Sequence, residues 1–178
     1  MQRNLRNLTY LTDLEKRQFQ SELPTCINTI FQDTVNKLYK NHITIFTDGS
    51  KSSNQPSVGA ACIISQYNLT LTTSITKLAS VYTVECLAVE LTTDYANKDP
   101  TKSYLICTDS LSLVHSLKAA SFHSNSNRHI ANIKKGLQHF RAISTDSNIA
   151  IMWIPKDRIY TPNSRTQPSS IHRLHTSN

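Results

Sequence analysis

Apolar and polar residues follow recognisable periods along this 178-residue chain. "ITIFT" (43–47) is an apolar, β-branched run that predicts a strand, and it stops at Asp48-Gly49. "SVGAACIIS" (57–65) and "LTLTTSI" (69–75) predict two more strands, close enough to pair as a hairpin over 66–68. Beyond them the period changes. In "SVYTVECLAVELTTDYANK" (80–98), Val84, Leu87, Ala88, Leu91 and Tyr95 form the i, i+3, i+4, i+7, i+11 stripe of an amphipathic helix. Ser80 is placed to cap that helix, and Asp99 ends it, because a residue before proline is pushed out of helical geometry. "SYLICT" (103–108) is almost continuously apolar, as a parallel strand buried on both faces must be. Ser110 then opens a short helix carrying Leu111, Val114 and Leu117. A longer helix over 128–142 aligns Ile130, Ile133, Leu137 and Phe140, and "NIAIMWI" (148–154) is the fifth strand.

The order β-β-β-α-β-α-α-β places the chain in the α/β class. It implies a five-stranded mixed sheet flanked by helices, its antiparallel portion joined to parallel strands by helical crossovers. This core occupies 41–155. Residues 1–40 carry Leu5, Leu8 and Leu11, then Ile27, Ile30, Val35 and Leu38 near helical spacing, with Pro24 between. They read as a helical lead-in or the remnant of a preceding segment. Residues 156–178 are rich in Pro, Ser, Thr and Asn without apolar periodicity, which is the composition of a disordered tail.

Composition narrows the setting. Cysteines stand at 26, 62, 86 and 107 without CxxC spacing. Three lie inside apolar runs, so buried reduced thiols and an intracellular protein are expected. Residues 1–40 hold no signal-peptide core, and nothing approaches the roughly 18 apolar residues of a membrane helix. The net charge of +7 is densest at the end, where 156–178 hold four basic residues and one acidic. Such a balance favours polyanionic partners, with a merely solvated basic tail as the alternative. His172 and His175 sit one helical turn apart, but no cysteine or carboxylate supports a zinc site there.

The candidate chemistry lies in carboxylates at strand ends. Asp48-Gly49 taken alone is a strong hairpin-turn signal. Asp109, however, ends the fourth strand as Asp48 ends the first, and a crossover helix makes those strands parallel neighbours. Their carboxyl ends form the crevice where open α/β sheets bind ligands. Glu85, early in the crossover helix and beside its apolar stripe, is the third candidate. Three converging carboxylates repel one another unless cations compensate, and hard oxygen donors suit Mg²⁺ or Mn²⁺. Paired ions roughly 3.5–4 Å apart activate water on a phosphodiester. Taken singly, Asp109 is explained as a helix cap and Glu85 as a complement to the helix dipole. Glu90, Asp94 and Asp99 fit a solvated helix face or terminus, and Asp146 the entering end of strand five.

"TDGSK" followed by Gly59-Ala60-Ala61, "SVYTVECLAVE", "CTDSLSLVHSLK" and "IMWIPKD" together resemble the type 1 ribonuclease H domain. The variant is similar to the one attached to reverse transcriptases of non-LTR retrotransposons, and the resemblance spans about 42–155. It implies the ribonuclease H-like fold and Mg²⁺-dependent cleavage of the RNA strand of RNA–DNA hybrids. Asp48, Glu85 and Asp109 match three catalytic metal ligands, and Gly49 and Ser50 match backbone that approaches the nucleic acid. Residues 1–40 would then be the end of a reverse-transcriptase-linked segment. The family continues with Gly-His and a closing helix that bears a fourth acid, where this chain has Lys156-Asp157 and a Pro/Ser-rich stretch. That departure implies a truncation or reading-frame change, impaired activity and an apolar sheet face left bare. Asp157 has no element to hold it as a substitute ligand. The alternatives are a catalytically inactive nucleic-acid-binding remnant and a translated remnant without function.

Overall fold

The computed structural model describes residues 24–51, 57–119 and 127–155. Among them run α1 (Pro24–Leu38), β1 (His42–Ser50), β2 (Ser57–Ile64), a 3₁₀ turn (Ser65–Tyr67), β3 (Leu69–Thr76) and α2 (Val81–Asn97). Then come β4 (Ser103–Thr108), α3 (Leu111–Lys118), α4 (Arg128–Ile143) and β5 (Ile149–Trp153). The five strands form one sheet in the order β3-β2-β1-β4-β5. β1 pairs antiparallel with β2 and parallel with β4, while β4 and β5 are parallel. This is the mixed sheet that the apolar periods imply. Among the described residues no helix is long and apolar enough to cross a membrane. The expectations for 1–23 and 156–178, including His172, His175 and Asp157, lie outside the described residues.

Local chemistry sets the element ends. Asn68 takes left-handed geometry (φ 48°) to turn the β2–β3 hairpin, a conformation asparagine tolerates better than most residues. Ser80 caps α2, its hydroxyl accepting from the Thr83 amide at 3.1 Å. One expectation fails in detail. β1 does not stop at Asp48 but continues through Gly49 and Ser50, which pair with Ala60 and Gly59 of β2. The Asp-Gly pair is therefore extended strand rather than a turn, and no described glycine has a positive φ.

Helices α2, α3 and α4 cover one face of the sheet through Ile43, Ile45, Ile106, Cys86, Val89, Leu113, Ile133 and Phe140, among others. The α4 stripe is the expected one: Ile130, Ile133, Leu137 and Phe140 are all buried. In α2 the buried set is shifted from the expected stripe: Val84 and Ala88 are buried, Leu87, Leu91 and Tyr95 only partly, and Glu85, Cys86, Val89, Thr92, Thr93 and Ala96 are buried as well. The helix lies between the sheet and α4, so two of its sides are covered. Thr92 and Thr93 enter the interior because each hydroxyl donates to the carbonyl four residues back, at 2.9 Å.

The opposite face is not bare. Leu105, Cys107, Ala150, Met152 and Ile154 pack there with Tyr39, Phe31, Val35 and Phe46, so α1 lies over β1, β4 and β5. Of the expected positions Val35 packs there, joined by Phe31 and by Tyr39 just past the helix end, while Leu38 is 62% exposed. Aromatic residues carry the packing because their rings span the gap between a helix and a sheet with more apolar area per residue.

Candidate active-site edge

The parallel register of β1 and β4 pairs His42 with Ser103 and runs to Phe46 with Cys107. Two residues beyond that last pair, Asp48 and Asp109 occupy the neighbouring carboxyl ends of the two strands. The Thr47 hydroxyl donates to the Cys107 carbonyl at 3.1 Å, which keeps the strands together up to this edge. Asp48 is also held on its other side, opposite Ala61 of β2. Asp109 begins the exit from β4, and its carbonyl accepts from the Trp153 indole at 3.1 Å. The Ile154 amide donates to Thr108 at 2.9 Å, so β5 buttresses the same end.

Glu85 comes from α2 and is buried, with 5% of its surface exposed. The sequence allows this through Gly49. A Cβ built on Gly49 would stand 3.0 Å from the Cδ, Oε1 and backbone nitrogen of Glu85. Only a residue without a side chain lets α2 press its carboxylate against β1, one residue from Asp48. Gly49 is thus buried beneath Glu85, whereas Ser50 is exposed at the end of the strand. Lys51 follows and donates to the Ala79 carbonyl at 3.0 Å, tying the strand exit to the turn that leads into α2.

The N-cap position itself falls on the residue after Asp109. Ser110 occupies the N-cap position of α3, with no side-chain capping bond, and its amide donates to the Thr108 hydroxyl at 3.2 Å. The described thiols are buried away from thiolate chemistry. Cys62, Cys86 and Cys107 are free and buried. Burial, with the nearby Glu85 and Glu90 charges adding, pushes the Cys86 thiol up to about 12, and burial raises Cys62 and Cys107 as well. All three stay protonated at neutral pH, so thiolate nucleophiles are absent among them.

Acids elsewhere behave differently. Glu90 is not on a solvated face: its side chain is only 18% exposed, and it bonds His129 Nδ1 and accepts from Asn132 Nδ2 at 2.7 Å. The helical stripe gave no sign of this, because the partners come from α4. Asp99 accepts from Thr101 and pairs with Lys102 at 3.0 Å, which holds its carboxyl below the usual range. Asp94 is exposed, and Asp146 precedes β5 at the entering end, as expected.

The donor set at the edge suits a hard divalent cation in kind, since Asp48, Glu85 and Asp109 all offer carboxylate oxygens. The Gly49 cradle brings Glu85 to the strand that bears Asp48. Among the described residues, however, no three His, Cys, Asp or Glu side chains are grouped so as to hold a metal ion.

A family model described as RNase H matches residues 40–158, about two thirds of the chain. The chain belongs to the RNase H family. That membership assigns it to the hybrid ribonucleases, whose domains bind RNA–DNA hybrids. Solved RNase H structures are similar at low identity. RNase H1 from the halophilic archaeon Halobacterium salinarum is 16% identical, over 65% of this chain and 86% of that one, with a TM-score of 0.48. The N-terminal RNase H domain of a Mycobacterium tuberculosis protein, solved as a fusion with maltose binding protein, is 18% identical over 65% and 90%, at 0.47. LC11-RNase H1, isolated from compost by a metagenomic approach, is 18% identical over 66% and 87%, at 0.48. No curated protein sequence matches the chain.

Proposed function

We propose that this RNase H domain hydrolyses the RNA strand of RNA–DNA hybrids at the edge formed by Asp48, Glu85 and Asp109. The observation that carries this reading is the seating of the buried Glu85 against Gly49, beside Asp48, on the strand that runs parallel to the one ending in Asp109. A structural role for a buried carboxylate would not require a glycine cradle next to a second acid. Bound Mg²⁺, or Mn²⁺ in its place, would supply water activation and stabilisation of the leaving oxygen. Asp48, Glu85 and Asp109 would hold the ions through their carboxylate oxygens. Burial of Glu85 strengthens its field, because little water screens it. The exposed Ser50 and the backbone beside it would meet the substrate strand.

The test is cleavage of an end-labelled hybrid by folded, soluble protein. Product should form at millimolar Mg²⁺ or Mn²⁺, vanish with EDTA, and fall by about 100-fold or more in Asp48→Asn and Asp109→Asn. Absence of product under those conditions would rule the reading out. Among the described residues no three such ligands are grouped to hold an ion, which favours a second reading, a nucleic-acid-binding remnant without catalysis. It predicts retention of the hybrid without product, weakening steeply with salt.

The motif set around 42–155 also supports an origin in a retrotransposon reverse-transcriptase polyprotein, with a frame change after Pro155. Reading the coding DNA beyond that point in the other two frames should then give Gly-His and an acid-bearing helical segment. Finding neither would sink the idea.

A further inference from the structure

We propose that α1, outside the RNase H family match, is a separable cover on the second face of the sheet that keeps the Asp48 and Asp109 strand ends ordered. The placement argues for it. Phe31 lies against Phe46 with ring centroids 6.1 Å apart, and Tyr39 meets His42 edge-on at 5.0 Å. The eight residue steps from Phe31 to Tyr39 rise about 12 Å, and the four steps from His42 to Phe46 span about 13 Å. Helix and strand therefore run alongside each other in opposite directions, and the N-terminal end of α1 points towards the carboxylate edge.

The packed cluster reaches that edge directly. Phe46 stands two residues before Asp48, and Cys107 two residues before Asp109. The two-residue period of a strand puts Phe46 and Asp48 on the same side of β1, and Asp109 follows directly on the last residue of β4. Met152 and Ile154 of the β5 end belong to the same cluster, and the Ile154 amide bonds Thr108. What α1 covers is thus the foundation of the strand ends that carry two of the three candidate acids.

The helix contributes cover and no ligand. Its first turn has no acidic residue, and Asp33 is exposed and paired with Lys37 at 3.5 Å. It is also the shallower of the two coverings. Phe31 and Val35 are only partly buried and Leu38 is exposed, whereas the opposite face is closed by three helices. Elements with few buried contacts open at lower free energy than the whole fold, so α1 can leave the sheet without global unfolding. The consequence for cleavage rests on the hydrolase reading; the separable cover itself does not.

Cys107 supplies the measurement, because it lies under α1 while Cys62 and Cys86 lie on the other face. The full chain carrying Cys26→Ser is compared with the same chain bearing Phe31→Asp and Val35→Asp. Alkylation of Cys107 should rise at least 10-fold, with Cys62 and Cys86 unchanged. Amide exchange at Asp109 and Ile154 should quicken in parallel, while Phe140 keeps its protection. A milder Val35→Ala variant should give a smaller rise of the same pattern. Unchanged Cys107 labelling overturns the cover, and equal acceleration of all three thiols in both variants overturns its separability. These readouts need no catalysis, so a wild type that cleaves nothing sinks the hydrolase reading and not this one.

Discussion

The two faces of the sheet are closed by different means. On one, α2, α3 and α4 interlock over a continuous cluster that includes the fully buried Phe140 and Ile133. On the other, a single helix rests on the strands through Phe31, Val35 and Tyr39. The first face supplies Glu85 and fixes it by close helix–strand contact. The second supports the strands that end in Asp48 and Asp109. The candidate site therefore sits where a rigid covering and a shallow one meet, and its geometry depends on both.

The largest expected effect tests this asymmetry head-on. Phe140→Ala removes a fully buried ring that stacks edge-on with Tyr104, and should cost about 3–5 kcal/mol. Phe31→Ala, on the half-buried cover, should cost only about 1–2 kcal/mol, since part of its ring already meets water. Urea midpoints of the two variants decide the matter, and equal losses would break the comparison. Next in size is Gly136→Ala in α4. The added Cβ would stand 2.6 Å from the Thr93 methyl, so α4 and α2 must part, at about 1–3 kcal/mol. Thr93→Ser in the same chain should recover part of that loss, and no recovery would show that the strain lies elsewhere.

The smallest effect concerns acid sensitivity on the side of the shallow cover. Neither ring nitrogen of His42 has a hydrogen-bond partner among the described residues, and burial lowers its pKa. The folded state thus resists protonation more than the unfolded chain does. Stability from this site is complete above the ordinary imidazole value of about 6.5. It is lost as pH falls from there towards the lowered folded value, and levels off below. Unfolding midpoints at pH 7.5 and 5.5 should separate in the wild type and draw together in His42→Phe. A gap of the same size in the variant would assign the sensitivity to another group.

Most of the fold was legible in the sequence because strand and helix periods are local properties. The single apolar stripe of α4 matched its buried residues, and the nearly unbroken run of β4 announced burial on both sides. Legibility failed where burial depends on a second partner. Thr92 and Thr93 of α2 look polar in a one-dimensional stripe, yet Thr93 faces α4 across Gly136 and Thr92 lies against Cys62 of β2. Glu90 looks solvated until His129 and Asn132 arrive from a helix about 40 residues away in sequence. The Asp-Gly pair is the most instructive case. The same dipeptide that signals a tight turn serves here as extended strand, with the glycine chosen for what lies above it.

The sequence by itself determined the element order, the mixed sheet, and the assignment of Asp48 and Asp109 to neighbouring parallel strand ends. Those follow from periodicity and from the handed crossover of a strand–helix–strand unit. Only the tertiary structure decided that Gly49 seats Glu85, that Glu90 is satisfied internally, and that α1 closes the second face. Each of these is a contact between segments far apart in the chain. Its energy comes from removing both partners from water together, and no local pattern in either segment records the other.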